Sequence, residues 1–330
     1  MLFFKSMIIG TLVTISSYNW LMMWIGLEIN LLSIIPLFKS NSNYYPTEAT
    51  LKYFITQTLA STIILFTIII SMNLSESLNN FNYWLMMILN SALLTKLGAA
   101  PFHYWFPEVM EGLNWFNNLL LLTWQKLAPM ILLMYNLNMT FFISMIIILS
   151  SIISGIYGIN QMSLRKILSY SSINHIAWML ASMLNLKNIW LIYFFIYSMI
   201  SLNIILIFYY FNIYFIPQLF LFLNKNKFIK LMFIFNFFSL GGLPPFLGFF
   251  PKWLVINYLI ENNFYTMSMI LILSTLITLF YYIRLTLPSI TLNYEESLIF
   301  LPKINELKII VFNAISIFSL IICTNVFIYF

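Results

Sequence analysis

Charged side chains are scarce in this chain of 330 residues. Lysine and arginine total 15, glutamate supplies all nine acids, and aspartate is absent, so 7% of the residues are charged against about 25% in a typical soluble domain. Apolar residues make up 62%, and mean hydropathy is +0.94. A water-soluble protein of this size lacks the polar surface to cover such a composition. These numbers exclude a soluble enzyme and a disordered chain, and they predict a polytopic membrane protein.

Cysteine and histidine are almost as rare, which limits the cofactors that the chain could hold. Cys323 is the single cysteine, and His103 and His175 are the two histidines. One thiol cannot form an intramolecular disulfide, a CxxC zinc site or an iron–sulfur cluster. The sequence contains neither a GxxxxGK[ST] nor a GxGxxG nucleotide motif. We therefore expect no cofactor and no metal in this chain, and any chemistry rests on lysine, glutamate, histidine, hydroxyls and water.

Apolar runs of membrane-spanning length recur along the whole chain. A spanning helix needs about 20 mostly apolar residues. By that rule the sequence predicts an all-α fold with about eleven transmembrane helices in one membrane domain, 1–330. The predicted spans are 1–17, 20–38, 48–72, 82–112, 113–135, 139–160, 163–186, 188–212, 229–261, 264–287 and 307–330.

The basic residues fall almost entirely on one side of this predicted arrangement. With alternating spans, eleven Lys and Arg lie on the side of the N-terminus, Lys187 alone lies on the other side, and three lysines fall inside spans. Inside loops of membrane proteins carry the excess of Lys and Arg. The split therefore indicates an odd number of helices with the N-terminus inside and the C-terminus outside. Because the basic residues are scattered singly, the net charge of +6 does not indicate nucleic-acid binding.

Two predicted spans, 82–112 and 229–261, are too long for a simple helix, and both contain prolines. One reads KLGAAPFHYWFP over 96–107, and the other reads GGLPPFLGFFPK over 241–252. Pro101 and Pro245 are 144 positions apart, which is five helices in the predicted order, so the second copy would be inverted. Inverted repeats with interrupted helices are typical of transporters. The sequence predicts one repeat over about 1–135, a second over about 139–287, and a C-terminal helix over about 307–330.

Four ionisable residues lie inside predicted spans, where a charge costs at least about 2.5–3.5 kcal/mol. They are Glu28 in the second span, Lys96 in the fourth, Lys126 in the fifth and Lys252 after the interruption of the ninth. One interpretation is structural: Glu28 and a lysine form a buried ion pair that locks two helices together. The other is proton transfer, in which lysines in series with a glutamate form a relay that water and hydroxyls bridge.

Both histidines lie beside polar or interrupted segments. His103 falls inside the first interruption, and His175 follows SSIN near the middle of the seventh span, 147 positions after Glu28. A lone histidine in a helix is more often a core residue with its hydrogen bonds satisfied than a proton carrier. In this setting the structural and the proton-transfer interpretations both remain open.

Six segments carry a closer resemblance. They are GLEIN (26–30), TEATLKYF (47–54), KLGAAPFHYW (96–105), LTWQKLAP (122–129), SLRKILSYSSINH (163–175) and GGLPPFLGFFPKW (241–253). In this order, along nearly the whole chain, they resemble the chain 2 family of NADH–ubiquinone oxidoreductases, which are antiporter-like membrane subunits of respiratory complex I. The abundance of Ile, Phe, Met, Asn and Tyr is also similar to that of mitochondrially encoded proteins of insects and other arthropods.

The resemblance implies an architecture and a function. It implies two inverted five-helix repeats with discontinuous helices 4 and 9, and proton translocation driven by NADH oxidation and ubiquinone reduction elsewhere in the complex. Carried over by motif, it implies roles for Glu28 and Lys96 as the coupled pair of a first half-channel, Lys126 as the bridge, Lys252 as the terminal lysine of a second half-channel, and His103 and His175 as assisting residues.

The same resemblance implies a setting. The chain would be a multi-pass protein of the mitochondrial inner membrane, with its N-terminus in the matrix and its C-terminus in the intermembrane space. Its partners would be neighbouring membrane-arm subunits, accessory subunits and lipids such as cardiolipin. FMN, iron–sulfur clusters, NADH and ubiquinone would bind other subunits. The residues by themselves leave two alternatives open, a free-standing cation/proton antiporter and a structural scaffold whose charges only pair.

Overall fold

The fold is helical throughout the part of the chain that the computed structural model describes, which is residues 2–38, 44–73, 79–137, 139–184, 187–223, 227–244 and 246–291. These residues form fourteen α-helices and no β-strand beyond an isolated bridge between Ser163 and Phe215. The helices are α1 (Leu2–Ser16), α2 (Trp20–Phe38), α3 (Tyr44–Asn73), α4 (Asn79–Leu97), α5 (Trp105–Gly112), α6 (Trp115–Leu122), α7 (Trp124–Tyr135), α8 (Thr140–Ile159), α9 (Leu164–Met183), α10 (Lys187–Phe211), α11 (Ile216–Leu223), α12 (Lys227–Gly241), α13 (Phe249–Glu261) and α14 (Tyr265–Thr291).

Five of the described helices are long and apolar enough to cross a membrane, and they are α2, α3, α8, α10 and α14. Their outer faces carry large apolar side chains, such as Leu59 at 59% exposure and Phe280 at 57%. Such faces are unfavourable in water and suit contact with lipid tails. The predicted all-α, polytopic membrane fold is confirmed. The number of spans stays a prediction, and the C-terminal helix predicted at 307–330 lies outside the described residues.

The chain divides into two compact units, Met1–Ser150 and Ser151–Phe330. Within the first unit, α1 packs along α2, α3 contacts α2, α4 and α5, and α7 contacts α1, α4 and α6. Within the second unit, α9 contacts α10, α13 and α14, while α12 contacts α10 and α14. Of the ionisable residues that the sequence singled out, Glu28, Lys96 and Lys126 lie on α2, α4 and α7 of the first unit, and His175 and Lys252 lie on α9 and α13 of the second. His103 lies between α4 and α5.

Three predicted spans each consist of two helices. Span 82–112 contains α4 and α5, which are separated by 98–104. Span 229–261 contains α12 and α13, which are separated by 242–248, and span 113–135 contains α6 and α7. The break between α6 and α7 at Thr123 was not predicted. Thr123 Oγ1 donates to the carbonyl of Leu119 at 2.7 Å. The Thr123 side chain thus forms a hydrogen bond with the backbone of α6 at the residue where the helix ends. Neither glycine nor proline is present at Thr123 to indicate the break. The short helix α11 was also not predicted, and it lies within the predicted connection 213–230.

The two N-terminal helices approach each other closely at two glycines. A Cβ added to Gly10 would lie 2.9 Å from the backbone nitrogen of Asn30, and a Cβ added to Gly26 would lie 2.8 Å from that of Thr14. Small residues allow the backbones of membrane helices to come this near. The crossing fixes the position of α2, which carries Glu28 and Asn30.

We expect Gly26→Ala to destabilise the first unit, because the new methyl group would meet the backbone of α1, which cannot rotate aside as a flexible side chain can. Overpacking of this kind costs about 1–3 kcal/mol. The measurement is the midpoint of thermal aggregation of the chain in gently solubilised membranes. Gly241→Ala is the matched control, because a Cβ there would have its nearest neighbours at 3.6 Å and beyond. Equal midpoints for the two variants would contradict the close crossing.

Candidate functional site

Two buried lysines line a cavity in the first unit. Lys96 comes from the last turn of α4 and is 8% exposed, while Lys126 comes from the first turn of α7 and is 2% exposed. The space open to the centre of a water-sized sphere is about 20 Å³. A polar cavity holds a water molecule once this space reaches about 10–15 Å³. The cavity therefore has room for a water at the two lysines.

Neutral polar side chains form the rest of the hydrophilic wall. Gln125 Nε2 donates to Asn30 Oδ1 at 2.8 Å, and Tyr53 Oη donates weakly to Gln125 Oε1 at 3.5 Å. Gln57 Nε2 donates, also at 3.5 Å, to the carbonyl oxygen of Lys96. All four of these neutral residues line the cavity. Because a buried polar group is costly unless it is hydrogen-bonded, these bonds hold the amides in defined orientations.

Glu28 lies half-buried on α2, within electrostatic range of Lys96. Among the described residues, however, no ion pair within 4.0 Å joins Glu28 to a lysine. The direct pairs are those of Lys52 with Glu48 at 3.0 Å and with Glu108 at 2.9 Å, on exposed side chains of α3 and α5. A helix lock through direct contact of Glu28 with a lysine is therefore not formed in this structure.

The two interrupted helices end in the same way, 144 positions apart. Gly98 and Gly242 follow α4 and α12 with φ angles of +74° and +75°, which glycine adopts without steric cost. In each case the glycine N–H donates to the carbonyl three residues back, and the next N–H donates five residues back, which is the Schellman pattern. The following turn also matches, since the N–H groups of Phe102 and Phe246 each donate three residues back, at 2.8 and 2.9 Å. Pro245 lies outside the described residues.

Lys252, on the first turn of α13, folds back over the second interruption and is 5% exposed. Its Nζ donates to the carbonyl oxygens of Gly241 at 2.8 Å and Leu240 at 3.3 Å, and it stands 5.8 Å from the ring centroid of Trp178. Carbonyls at a helix C-terminus carry partial negative charge that favours an ammonium group. A Cβ on Gly242 would lie 3.0 Å from Nζ, so the glycine also leaves room for the lysine.

The first interruption is capped differently. The position 144 residues before Lys252 is Glu108, whose exposed carboxylate pairs with Lys52. The carbonyl of Lys96, 144 residues before Leu240, accepts instead from Gln57 of α3. The end of α12 is thus capped by the titratable side chain of Lys252 and the end of α4 by the uncharged amide of Gln57.

Helix α9 is rich in polar residues, yet every residue from Ser171 to Met183 is buried in the second unit. His175 Nδ1 lies 2.9 Å from Tyr193 Oη on α10, and its ring centroid lies 4.9 Å from that of Tyr197. The Tyr193 hydroxyl can either donate a hydrogen bond to Nδ1 or accept one from it. It can therefore remain bonded to His175 in both protonation states of the imidazole.

His103 lies in the first interruption, as the sequence indicated, where it is buried and stacks on Tyr104 with ring centroids 4.5 Å apart. It does not line the cavity of Lys96 and Lys126. The structure thus brings Lys96 and Lys126 to one cavity with Glu28 in electrostatic range, and it holds His103 in the adjacent interruption.

Sequence reasoning missed the neutral members of the first unit's site, Asn30, Tyr53, Gln57 and Gln125. A signal was present, because an amide inside an apolar span must find a partner that lipid cannot provide. The sequence does not show which amides meet, since three helices contribute them. Across the part of the chain that the structure describes, no group of three or more His, Cys, Asp or Glu side chains could bind a metal.

Paired interrupted helices whose breaks form the binding sites are typical of membrane transporters, and in this chain the buried Lys96 and Lys252 lie beside the two breaks. A sequence model described as "NADH:quinone oxidoreductase/Mrp antiporter, TM" matches residues 17–278. The chain is 47% identical over 334 residues to NADH-ubiquinone oxidoreductase chain 2 of Anopheles gambiae, with 99% of this chain and 97% of the relative covered. It is 49% identical to the Aedes aegypti protein of the same name, with the same coverage. The chain belongs to this family and, within it, to the NADH–ubiquinone oxidoreductase chain 2 proteins.

Solved structures with low sequence identity share the fold. A chain of respiratory complex I from Thermus thermophilus with bound aureothin gives a TM-score of 0.85 at 20% identity, covering 96% of this chain and 76% of that one. A chain of the Mrp complex from Dietzia sp. DQ12-45-1b gives 0.79 at 12% identity, covering 97% and 74%. The fold is therefore common to subunits of a redox complex and of an antiporter complex.

Loss of the Lys252 ammonium should loosen the second interruption. In Lys252→Met the carbonyls of Gly241 and Leu240 lose their donor, and a hydrogen bond to a charged group contributes about 1.5–3 kcal/mol. We expect hydrogen–deuterium exchange of the backbone amides in 242–250 to rise by about tenfold or more. Lys5→Met, an exposed lysine on α1, is the control. Unchanged exchange in Lys252→Met would show that the cap does not hold this segment.

Proposed function

We propose that the chain is a proton-translocating core membrane subunit of respiratory complex I. As a subunit of the H⁺-translocating NADH:ubiquinone reductase, it couples NADH oxidation and ubiquinone reduction in other subunits to proton movement through its own Lys, Glu and His residues. The observation that carries the proposal is the buried cavity that Lys96 and Lys126 share, in a chain 47% identical to a chain 2 protein over nearly its full length. FMN, iron–sulfur clusters, NADH and ubiquinone bind other subunits, and this chain has no redox centre.

The first unit transfers a proton between two lysines under the control of a glutamate. A negative charge such as that of Glu28 favours the protonated form of a nearby lysine, while burial opposes it. When that charge is neutralised or moves away, Lys96 becomes a better proton donor. Two ammonium groups at one small cavity repel each other, so the stable arrangement has one charged and one neutral lysine. A water in the cavity then accepts from one lysine and donates to the other.

The second unit supplies the later groups of the relay. His175 exchanges a proton while the hydroxyl of Tyr193 changes from donor to acceptor at Nδ1. Lys252 is the terminal lysine. Its proton is held by the carbonyls at the end of α12, so its release and the shape of the interruption are linked. His103 assists from the first interruption, where its position beside the end of α4 lets it respond to movement of that helix.

We propose a setting that membership of the family supports. The chain is a multi-pass protein of the mitochondrial inner membrane, with the N-terminus in the matrix and the C-terminus in the intermembrane space. The one-sided distribution of Lys and Arg supports this orientation. Its partners are the neighbouring membrane-arm and accessory subunits of complex I, and lipids such as cardiolipin cover its exposed apolar faces.

A free-standing cation/proton antiporter is the second candidate, and the fold shared with a chain of an Mrp complex favours it. Native gel electrophoresis of gently solubilised inner membranes separates the two candidates. An antibody against 288–306 locates the chain, and an in-gel stain locates NADH oxidation. We expect the chain to migrate only within the large NADH-oxidising band. Migration alone or as a small oligomer would reject the complex I assignment and favour the antiporter.

Lys96→Met tests the relay itself. Methionine preserves much of the side-chain length and removes the titratable group, so we expect the complex to assemble while NADH-driven proton translocation falls by about tenfold or more, toward the 10²–10⁴-fold that positioned proton-transfer groups contribute. The measurement is the initial rate of acidification in inverted membrane vesicles, divided by the amount of assembled complex. Lys5→Met serves again as the exposed control. Normal translocation by an assembled Lys96→Met complex would support the structural scaffold instead.

A further inference from the structure

Two carboxamides stand beside the lysines of the first unit and bond to each other. Gln125 Nε2 of α7 donates to Asn30 Oδ1 of α2 at 2.8 Å, and we call this pair the amide bridge. We propose that the amide bridge holds and orients the water that passes protons between Lys96 and Lys126, which makes Gln125 a positioning residue of the relay. The inference rests on the proposed function and assigns to the bridge a role beyond joining two helices.

The amide of Gln125 has one defined orientation. Its nitrogen faces Asn30 and its oxygen faces the hydroxyl of Tyr53, at 3.5 Å. An amide has two N–H donors and an oxygen with two lone pairs. After these two bonds are counted, one N–H and one lone pair of Gln125 remain. Gln125, Asn30 and Tyr53 all line the cavity that the two lysines share.

A water that transfers a proton between lysines needs further partners. A protonated lysine only donates hydrogen bonds. The water therefore accepts a hydrogen bond from the charged lysine and donates one to the neutral amine of the other lysine. Proton transfer breaks one N–H bond, forms an O–H bond, and passes a different water proton to the second nitrogen, so charge and atoms balance. The water's second hydrogen and second lone pair still require an acceptor and a donor. A carboxamide offers both without being charged, with the donor and the acceptor on different atoms of one side chain.

The chemistry also explains why an amide suits this position better than other groups. A carboxylate would bond to an ammonium with roughly twice the strength of a neutral group, which would hold the proton on one lysine. An apolar side chain would leave the water with fewer hydrogen-bond partners, and a buried water needs two to four. An amide does not titrate near neutral pH, so the proton cannot stop there.

The first variant is Gln125→Glu, which keeps the length of the side chain and introduces the charge that the argument forbids. The second is Gln125→Met, which keeps most of the volume and removes the amide. We expect both complexes to show proton translocation per assembled complex reduced by about tenfold, with an increased solvent deuterium isotope effect on NADH-driven turnover. Gln161→Glu makes the same chemical change in an exposed amide after α8 and should leave both measurements unchanged.

Lys126→Met, measured in parallel, separates this inference from the proposed function. Reduced translocation in Lys126→Met together with normal translocation and isotope effect in assembled Gln125→Met would overturn the amide bridge and leave the relay intact. Normal translocation in both would reject the relay as well. If Gln125→Glu does not assemble, Gln125→Met decides. A bridge that only ties α2 to α7 predicts that this variant lowers the thermal stability of the complex without changing translocation per assembled complex.

Discussion

Lipid offers no hydrogen bonds, and the whole structure depends on that constraint, because each polar group placed inside a span has to find its partner within the protein. A continuous helix meets the requirement by itself, and an interrupted helix does not. The two interruptions meet it with one backbone solution, in which Gly98 and Gly242 adopt positive φ and turn the last N–H groups back onto the preceding carbonyls. Side chains then cover what the backbone leaves, Gln57 at one end and Lys252 at the other.

These two caps differ in whether the capping group can change its charge. An amide keeps the same bond whatever the protonation state around it, so the end of α4 is held independently of charge. The ammonium of Lys252 binds two carbonyls of α12, so its bonds weaken when the proton leaves. The proposed link between conformation and protonation at the second interruption rests on these contacts. In the first unit the proposed link is the charge of Glu28, which forms no direct ion pair with a lysine among the described residues.

Composition and pattern predicted much of this architecture. Low charge and long apolar runs predicted an all-α membrane fold. The paired proline segments predicted interruptions within spans 82–112 and 229–261, because glycine and proline act on the backbone of their own segment, and the structure has these breaks at 98–104 and 242–248. The break at Thr123 and the helix α11 were not foreseen. Neither feature coincides with a glycine or with a clear change in the apolar pattern. Where a helix begins or ends at such positions depends on packing against neighbouring helices.

For the site, the sequence determined which residues are unfavourable in lipid. The free-energy cost of placing a charge in the bilayer depends on the residue type and its depth, and both can be inferred from the sequence. Glu28, Lys96, Lys126 and Lys252 stand out for that reason alone. Tertiary structure decided their partners: that Lys96 and Lys126 share one cavity, that Lys252 folds back onto α12, and that amides from three helices complete the wall around the first two lysines. Side-chain contacts between helices depend on how the helices pack and rotate, and a single sequence carries no direct record of that geometry.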